Sequence, residues 1–253
     1  MRTRQFLGSG AAVCFACVAI PASAAILDTL GGFDASKPGW SAAAKAGFSA
    51  KGGNTELLEV SGSAQLQWQN ERHRLRALGG YARQTSDARE VAEDGMLHLR
   101  HNRLIVGSVH SLSFAQVQRN PFQRLRSRTL FGLGGRVDFL QSDRGGLSLG
   151  AAHMVEIEEL EGGGGRATDQ RLSTFLAATA MLNTTTSLRT TIYAQPLWSE
   201  FGDLRAVALL SLSVALTEQL SLELGGQIQH DSRPPDAVEE TDWSTSTALK
   251  LEI

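Results

Sequence analysis

Cysteine is nearly absent from this chain. The two present, Cys14 and Cys17, both lie within the first 24 residues. Arg2 and Arg4 precede an apolar run over residues 6–20 that ends in Ala22-Ser23-Ala24, the layout of a secretory signal peptide cut before Ala25. The residues before the two cysteines are Ala-Ala-Val and Cys-Phe-Ala, neither of which is a lipid-attachment context. An exported chain without disulfides is held together by burial alone or by closure of a sheet in a membrane. Long apolar runs are missing too: residues 6–20 are too few to cross a bilayer as a helix and no longer run follows, which excludes a transmembrane helix. A basic excess is also missing, since removing Arg2 and Arg4 takes the net charge from −2 to −4, and nucleic acid is not an expected partner. Aromatic residues make up 6% of the chain, little for a large soluble core.

What the chain does have is alternation with a period of two. Leu220, Leu222, Leu224, Gly226 and Ile228 alternate with Ser221, Glu223, Gly225, Gln227 and Gln229. After a proline-containing loop, Trp243, Thr245, Thr247, Leu249, Leu251 and Ile253 alternate with Asp242, Ser244, Ser246, Ala248, Lys250 and Glu252. One apolar and one charged face suit lipid outside and a polar lumen inside. At the other end, Trp40, Ala42, Ala44, Ala46 and Phe48 form an apolar face, Gly52-Gly53-Asn54 supplies a hairpin turn, and Leu58, Val60, Gly62, Ala64, Leu66 and Trp68 return. The segment over residues 125–140 places Leu125, Thr129, Phe131, Leu133, Val137 and Phe139 outward, opposite Arg126, Arg128, Gly132, Gly134, Arg136 and Asp138. Regularity is weakest over residues 96–106, where His101 and Arg103 share the parity of Leu97 and Leu99. That predicts a bulge or register shift.

Twelve such segments follow residue 38, each near the ten residues that a tilted strand needs to cross a bilayer. The longer connections, 84–95, 159–168 and 231–240, are the third, seventh and eleventh; the even-numbered ones, such as 70–72 and 107–110, are short. Long loops confined to one side are the mark of an outer-membrane barrel. The expected class is therefore all-β: a transmembrane, antiparallel, up-and-down β-barrel of about 12 strands over residues 38–253. A signal peptide (1–24) and a periplasmic lead (25–37) precede it. Trp40, Trp68, Trp198 and Trp243 sit near strand ends, where an aromatic belt would lie. A soluble periplasmic β-sandwich is the alternative, since alternation also suits a protein core.

The last loop is the most specific stretch. Asp231, Ser232, Pro234, Pro235, Thr241 and Asp242 form a D-S-x-P-P…T-D pattern before the final strand. With Gly52-Gly53-Asn54-Thr55, Asn120-Pro121-Phe122 and Gly132-Leu133-Gly134-Gly135, it resembles a family of salt-induced outer-membrane proteins, a β-barrel family of unknown function. The resemblance implies a barrel in the outer membrane of a Gram-negative bacterium, inserted by the barrel-assembly machinery and produced under salt or envelope stress. It implies no cofactor and no established activity. Two positions depart from the family: Ala237 where glycine is usual, and Ile253 where the terminal residue is usually aromatic.

Three constellations could carry chemistry. His230 and Ser232 at the rim would suit an outer-membrane lipid hydrolase if they came within hydrogen-bond reach, against a loop-structuring role for Asp231, Ser232, Pro234 and Pro235. Glu156, Glu158, Glu159, Glu161 and Asp169 could gather around a divalent cation, against a solvated acidic rim. His98 and His101 fall on opposite faces, so no metal site is expected of them, and the glycines at 162–165 lack the lysine of a phosphate loop. The third is the inward charge: Arg74, Arg76, Arg100, Arg126, Arg128, Arg136, Arg189 and Arg205 with Glu59, Asp138, Glu156, Glu223 and Lys250. It forms either a salt-bridged interior or a narrow, mildly anion-preferring passage for a small solute. A non-enzymatic envelope barrel, structural or a solute pore, is the leading expectation.

Overall fold

The computed structural model describes residues 38–51, 57–86, 89–162, 165–235 and 238–252. The expectations placed on the signal peptide, the periplasmic lead, the first hairpin turn, Ala237 and Ile253 lie outside these residues. Twelve strands run in sequence: β1 (Gly39–Lys51), β2 (Leu57–Gln69), β3 (His73–Ser86), β4 (Arg89–Val106), β5 (Val109–Asn120), β6 (Leu125–Ser142), β7 (Gly145–Leu160), β8 (Arg166–Met181), β9 (Thr186–Leu197), β10 (Glu200–Ala215), β11 (Leu220–Asp231) and β12 (Thr241–Glu252). Each pairs antiparallel with its chain neighbour, and β1 meets β12 to close the barrel.

The outer face is apolar around the wall, with Phe48, Leu66, Leu97, Phe131, Leu149, Ile192, Leu210 and Leu249 all exposed. In water this would be a continuous apolar surface far beyond the few hundred Å² that soluble monomers tolerate. With a polar interior and a closed ladder, it defines a membrane-spanning barrel. Trp40 and Trp68 are cross-strand partners at the end bearing the short turns, and Trp198 and Trp243 sit at the end bearing the long loops. Tryptophan therefore marks both interfaces.

Two local expectations need correction, and a third takes a definite place. Residues 84–95 are mostly strand, since β3 runs to Ser86 and β4 starts at Arg89. Charge there marks the edge of the bilayer, not the end of pairing. The irregularity expected over residues 96–106 is present, between Leu104 and Val106, while Gly95–Leu104 pairs with β5 without a slip. His101 and Arg103 keep their outward parity near the short-turn end, where His101 stacks on His73 with ring centroids 5.2 Å apart. Finally, a bulge between Leu125 and Ser127 reverses the start of β6. Leu125 turns inward and is buried, while the Arg126 side chain is 66% exposed and pairs with Glu159 at 2.8 Å.

The glycines of β6 and β7 have a geometric reason. A Cβ on Gly132 would fall 2.1 Å from the Phe114 ring, and one on Gly150 would fall 2.3 Å from the Phe175 ring. Each ring covers a glycine on the neighbouring strand, in the manner by which aromatics cover glycine kinks in barrels. At Gly134 the clash is with backbone, Ala151 O at 2.0 Å. Gly134→Ala is therefore expected to destabilise the barrel by about 1–3 kcal/mol or more, the usual cost of overpacking. Gly132→Ala should cost less, because Phe114 can rotate away. Urea unfolding followed by tryptophan fluorescence would rank the two, and equal midpoints would refute the distinction.

The seam between β1 and β12 differs from the other ladders. Among the described residues it holds four pairs, Ala43↔Glu252 to Ala46↔Leu249. By contrast, β1 and β2 pair from Gly39↔Gln69 to Lys51↔Leu57. Lys45 on β1 reaches past β12 to make an ion pair with Glu223 on β11.

Candidate functional site

Inward positions on β4 to β11 surround a cavity with about 1130 Å³ of empty space, part of it open to solvent at the long-loop end. Its upper wall is an ion-pair network centred on Glu156, which is 2% exposed. Arg171 Nε donates to Glu156 at 2.9 Å, Arg128 Nε lies 3.1 Å from it, and Arg205 also pairs with it. Arg205 bonds Asp231 at 2.8 Å and Glu158 at 3.2 Å, while Arg171 forms an ion pair with the Asp203 carboxylate at 2.9 Å and donates to its backbone carbonyl at 3.3 Å. Three guanidiniums thus share four carboxylates from five strands. Alternation alone brings them together: each occupies an inward position, and the ladder registers stack them at one height.

The middle of the cavity has two tiers. On β5 to β10, Leu112, Phe114, Phe175, Tyr193, Val207 and Leu209 pack into one cluster. Phe175 and Tyr193 lie 6.0 Å apart, and the Arg100 guanidinium sits 5.9 Å from the Phe114 ring and 5.6 Å from the Phe175 ring. Nearer the mouth, at the next inward positions of β5 and β9, the lining is hydrogen-bonding and uncharged. His98 Nδ1 bonds Gln116 Oε1 at 2.8 Å, and Gln116 Nε2 donates to Gln118 Oε1 at 2.6 Å. Gln195 and Gln229 continue this lining.

A roof crosses the mouth. Asn120 Oδ1 accepts from Gln123 N at 3.1 Å, capping the 3-10 turn Pro121–Gln123, and Arg124 follows in the left-handed region at φ 56°. This turns the chain over the lumen, where Gln123 Nε2 donates to Asp242 Oδ2 on β12, the opposite wall, at 3.1 Å. Pro234, Pro235, Val238, Glu239 and Glu240 complete the cover.

The loop signature separates in space. Asp231 faces inward to Arg205 and also accepts from Arg233 N at 3.0 Å. Ser232 Oγ accepts from Leu204 N at 2.8 Å and donates to Gly202 O at 3.1 Å, tying the loop to β10. His230 faces outward and bonds Thr241 Oγ1 at 2.9 Å, so it does not meet Ser232. Beyond the strands, Arg233 pairs with Glu200, whose hydrogen bond holds the guanidinium above its ordinary pKa.

Of the inward charges expected from sequence, Arg74, Arg76, Arg128, Arg136, Asp138, Arg205 and Glu223 occupy lumen positions, and Arg126 does not. Arg74 bonds Gln69 at 3.0 Å and Arg76 bonds Gln67 at 3.0 Å. Arg136 lies 2.5 Å from Asp138, with His110 3.2 Å from the same carboxylate. The acidic group expected to gather a cation is instead divided among arginines: Glu156 and Glu158 face the network, and Glu159 faces Arg126 outside. Arg171 and Asp203 were missed in the sequence, although Arg171 shares the parity of Ser173 and Phe175. The aromatic wall was missed because attention to charge passed over inward Phe114, Phe175 and Tyr193.

A closed twelve-strand wall with an apolar exterior and a polar, roofed lumen defines a transmembrane β-barrel. Residues 44–252 match the family described as "Protein of unknown function, DUF481", and the chain belongs to that family. It matches no curated protein. Among solved structures it is similar to an outer-membrane channel from Pseudomonas putida F1, at 14% identity over 88% of this chain and 97% of that one, with a TM-score of 0.50. It is also similar to the translocator domain of autotransporter NalP from Neisseria meningitidis, at 11% identity over 84% and 88% of the two chains, with a TM-score of 0.49. At such identities the likeness is one of fold.

Proposed function

We propose that this chain is a non-enzymatic outer-membrane channel for small hydrophilic solutes, delivered across the inner membrane by the leader at residues 1–24. The observation that carries this reading is the cavity inside the lumen, open to solvent at the long-loop end. The similarity in fold to a protein described as an outer-membrane channel supports it. Hydrolysis has no comparable support, because His230 and Ser232 are committed to different partners. A link to salt stress rests on the resemblance alone.

The charge pattern bears on selectivity. The cavity lining carries Glu156, Glu158, Asp231, Glu239, Glu240 and Asp242 against Arg100, Arg128 and Arg205, so the mouth is acidic. Deeper in the lumen, Arg74, Arg76 and Arg136 outnumber Asp138. These opposed fields replace the anion preference suggested by counting inward arginines, and they should leave a channel with weak ion selectivity. In planar bilayers under a KCl gradient, the expected result is a measurable conductance with a reversal potential near zero. Glu239→Gln with Glu240→Gln should shift that potential toward anions. A barrel that is folded by its gel mobility yet carries no current would refute the channel.

A further inference from the structure

We infer that the cavity holds a binding subsite for a neutral saccharide, seated between the aromatic wall and the glutamine lining. This rests on the channel reading and names its solute class. A sugar ring has C–H faces that pack on aromatic rings and a rim of hydroxyls that donate and accept hydrogen bonds. The cavity is divided in the same way. Phe114, Tyr193 and Val207 present apolar surface, while Gln118, Gln195 and Gln229 line the same space with side-chain amides, a group that carries both donors and an acceptor.

His98 sharpens the assignment. The residue is 2% exposed and lines the cavity, and its Nε2 has no hydrogen-bond partner. Gln116 Oε1 can only accept, so in the neutral ring Nδ1 carries the hydrogen and Nε2 keeps its lone pair. A buried acceptor without a donor loses the hydrogen bond it would make to water. A ligand hydroxyl is the group that would satisfy it.

Electrostatics sets the ligand's charge. An anion entering from outside meets the acidic mouth, and a cation passing that mouth meets Arg100 on the floor. A neutral polyol is opposed by neither.

The test uses the full-length mature protein in detergent micelles, with maltotriose as the neutral probe, digalacturonate as the anionic probe and glycine betaine as the zwitterionic one. Titration calorimetry should show saturable maltotriose binding, with the two charged probes binding at least several-fold more weakly. Saturation-transfer NMR should place the sugar C–H protons against aromatic protons. Phe114→Leu should weaken that transfer, leaving the part that comes from Tyr193. His98→Phe should weaken binding several-fold, and His98→Gln, which restores an acceptor, should recover part of it. No maltotriose binding by protein shown to be folded, or tighter binding of a charged probe, would overturn the inference. Current measured on the same preparation separates the two readings. Conductance without binding removes the subsite and leaves the channel, whereas binding without conductance keeps the subsite and removes the channel.

Discussion

Glu156→Leu is expected to destabilise the barrel by about 3–5 kcal/mol, the cost of leaving one side of a buried ion pair uncompensated. The size follows from its position. Glu156 is 2% exposed and is shared by Arg128, Arg171 and Arg205, so its loss leaves three cations facing one another with fewer carboxylates between them. Arg171 is equally buried and cannot swing into bulk water. The midpoint of urea unfolding in lipid vesicles would report the loss, and a fall of under about 1 kcal/mol, the worth of an exposed pair, would show that water reaches the network. Adding Arg171→Leu to Glu156→Leu should restore part of the loss, because an apolar pair of similar bulk replaces a broken ionic one. Strict additivity of the two substitutions would argue against a shared network.

Replacing residues 233–239 with two glycines should raise single-channel conductance several-fold, since ion flow is limited by the tightest part of the path. The roof is built mainly from this segment, with Pro234, Pro235, Val238 and Glu239 all lining the cavity. Ser232 is retained in the variant and keeps the loop base tied to β10 through Leu204 and Gly202. Single-channel recordings would show the change. An unaltered conductance would locate the restriction lower, at the aromatic wall, and Phe175→Ala would then be the substitution that opens the path.

Much of this architecture was legible in the amino-acid sequence because a barrel strand has only two faces. A parity error would put Arg205 or Glu223 into lipid, so the alternation of Leu204 to Leu216 and of Leu220 to Ile228 determines direction as well as strand identity. Boundaries were less legible. The polar residues of 84–95 read as a loop because polarity reports the edge of the bilayer, whereas pairing continues above it. The bulge at Leu125 was invisible, since an inserted residue leaves no mark when both neighbours, a leucine and an arginine, suit either face at a rim. The site was half visible. Inward arginines could be enumerated, but which carboxylate each one meets depends on register across several strands. The roof was out of reach, because Gln123 and Asp242 are 119 residues apart and nothing local ties them together.

The short seam bears on how the chain becomes a barrel. Every other ladder joins chain neighbours across a turn, while β1 and β12 must find each other from opposite ends of the chain. Closing a loop of that length costs more entropy than any hairpin, and among the described residues four pairs repay it. In order of assembly, that junction comes last, after eleven hairpins have curled the sheet and brought its edges together. The Lys45–Glu223 contact then acts as a clasp, engaging the second strand beyond the seam and locking the circle beyond what its own short ladder provides.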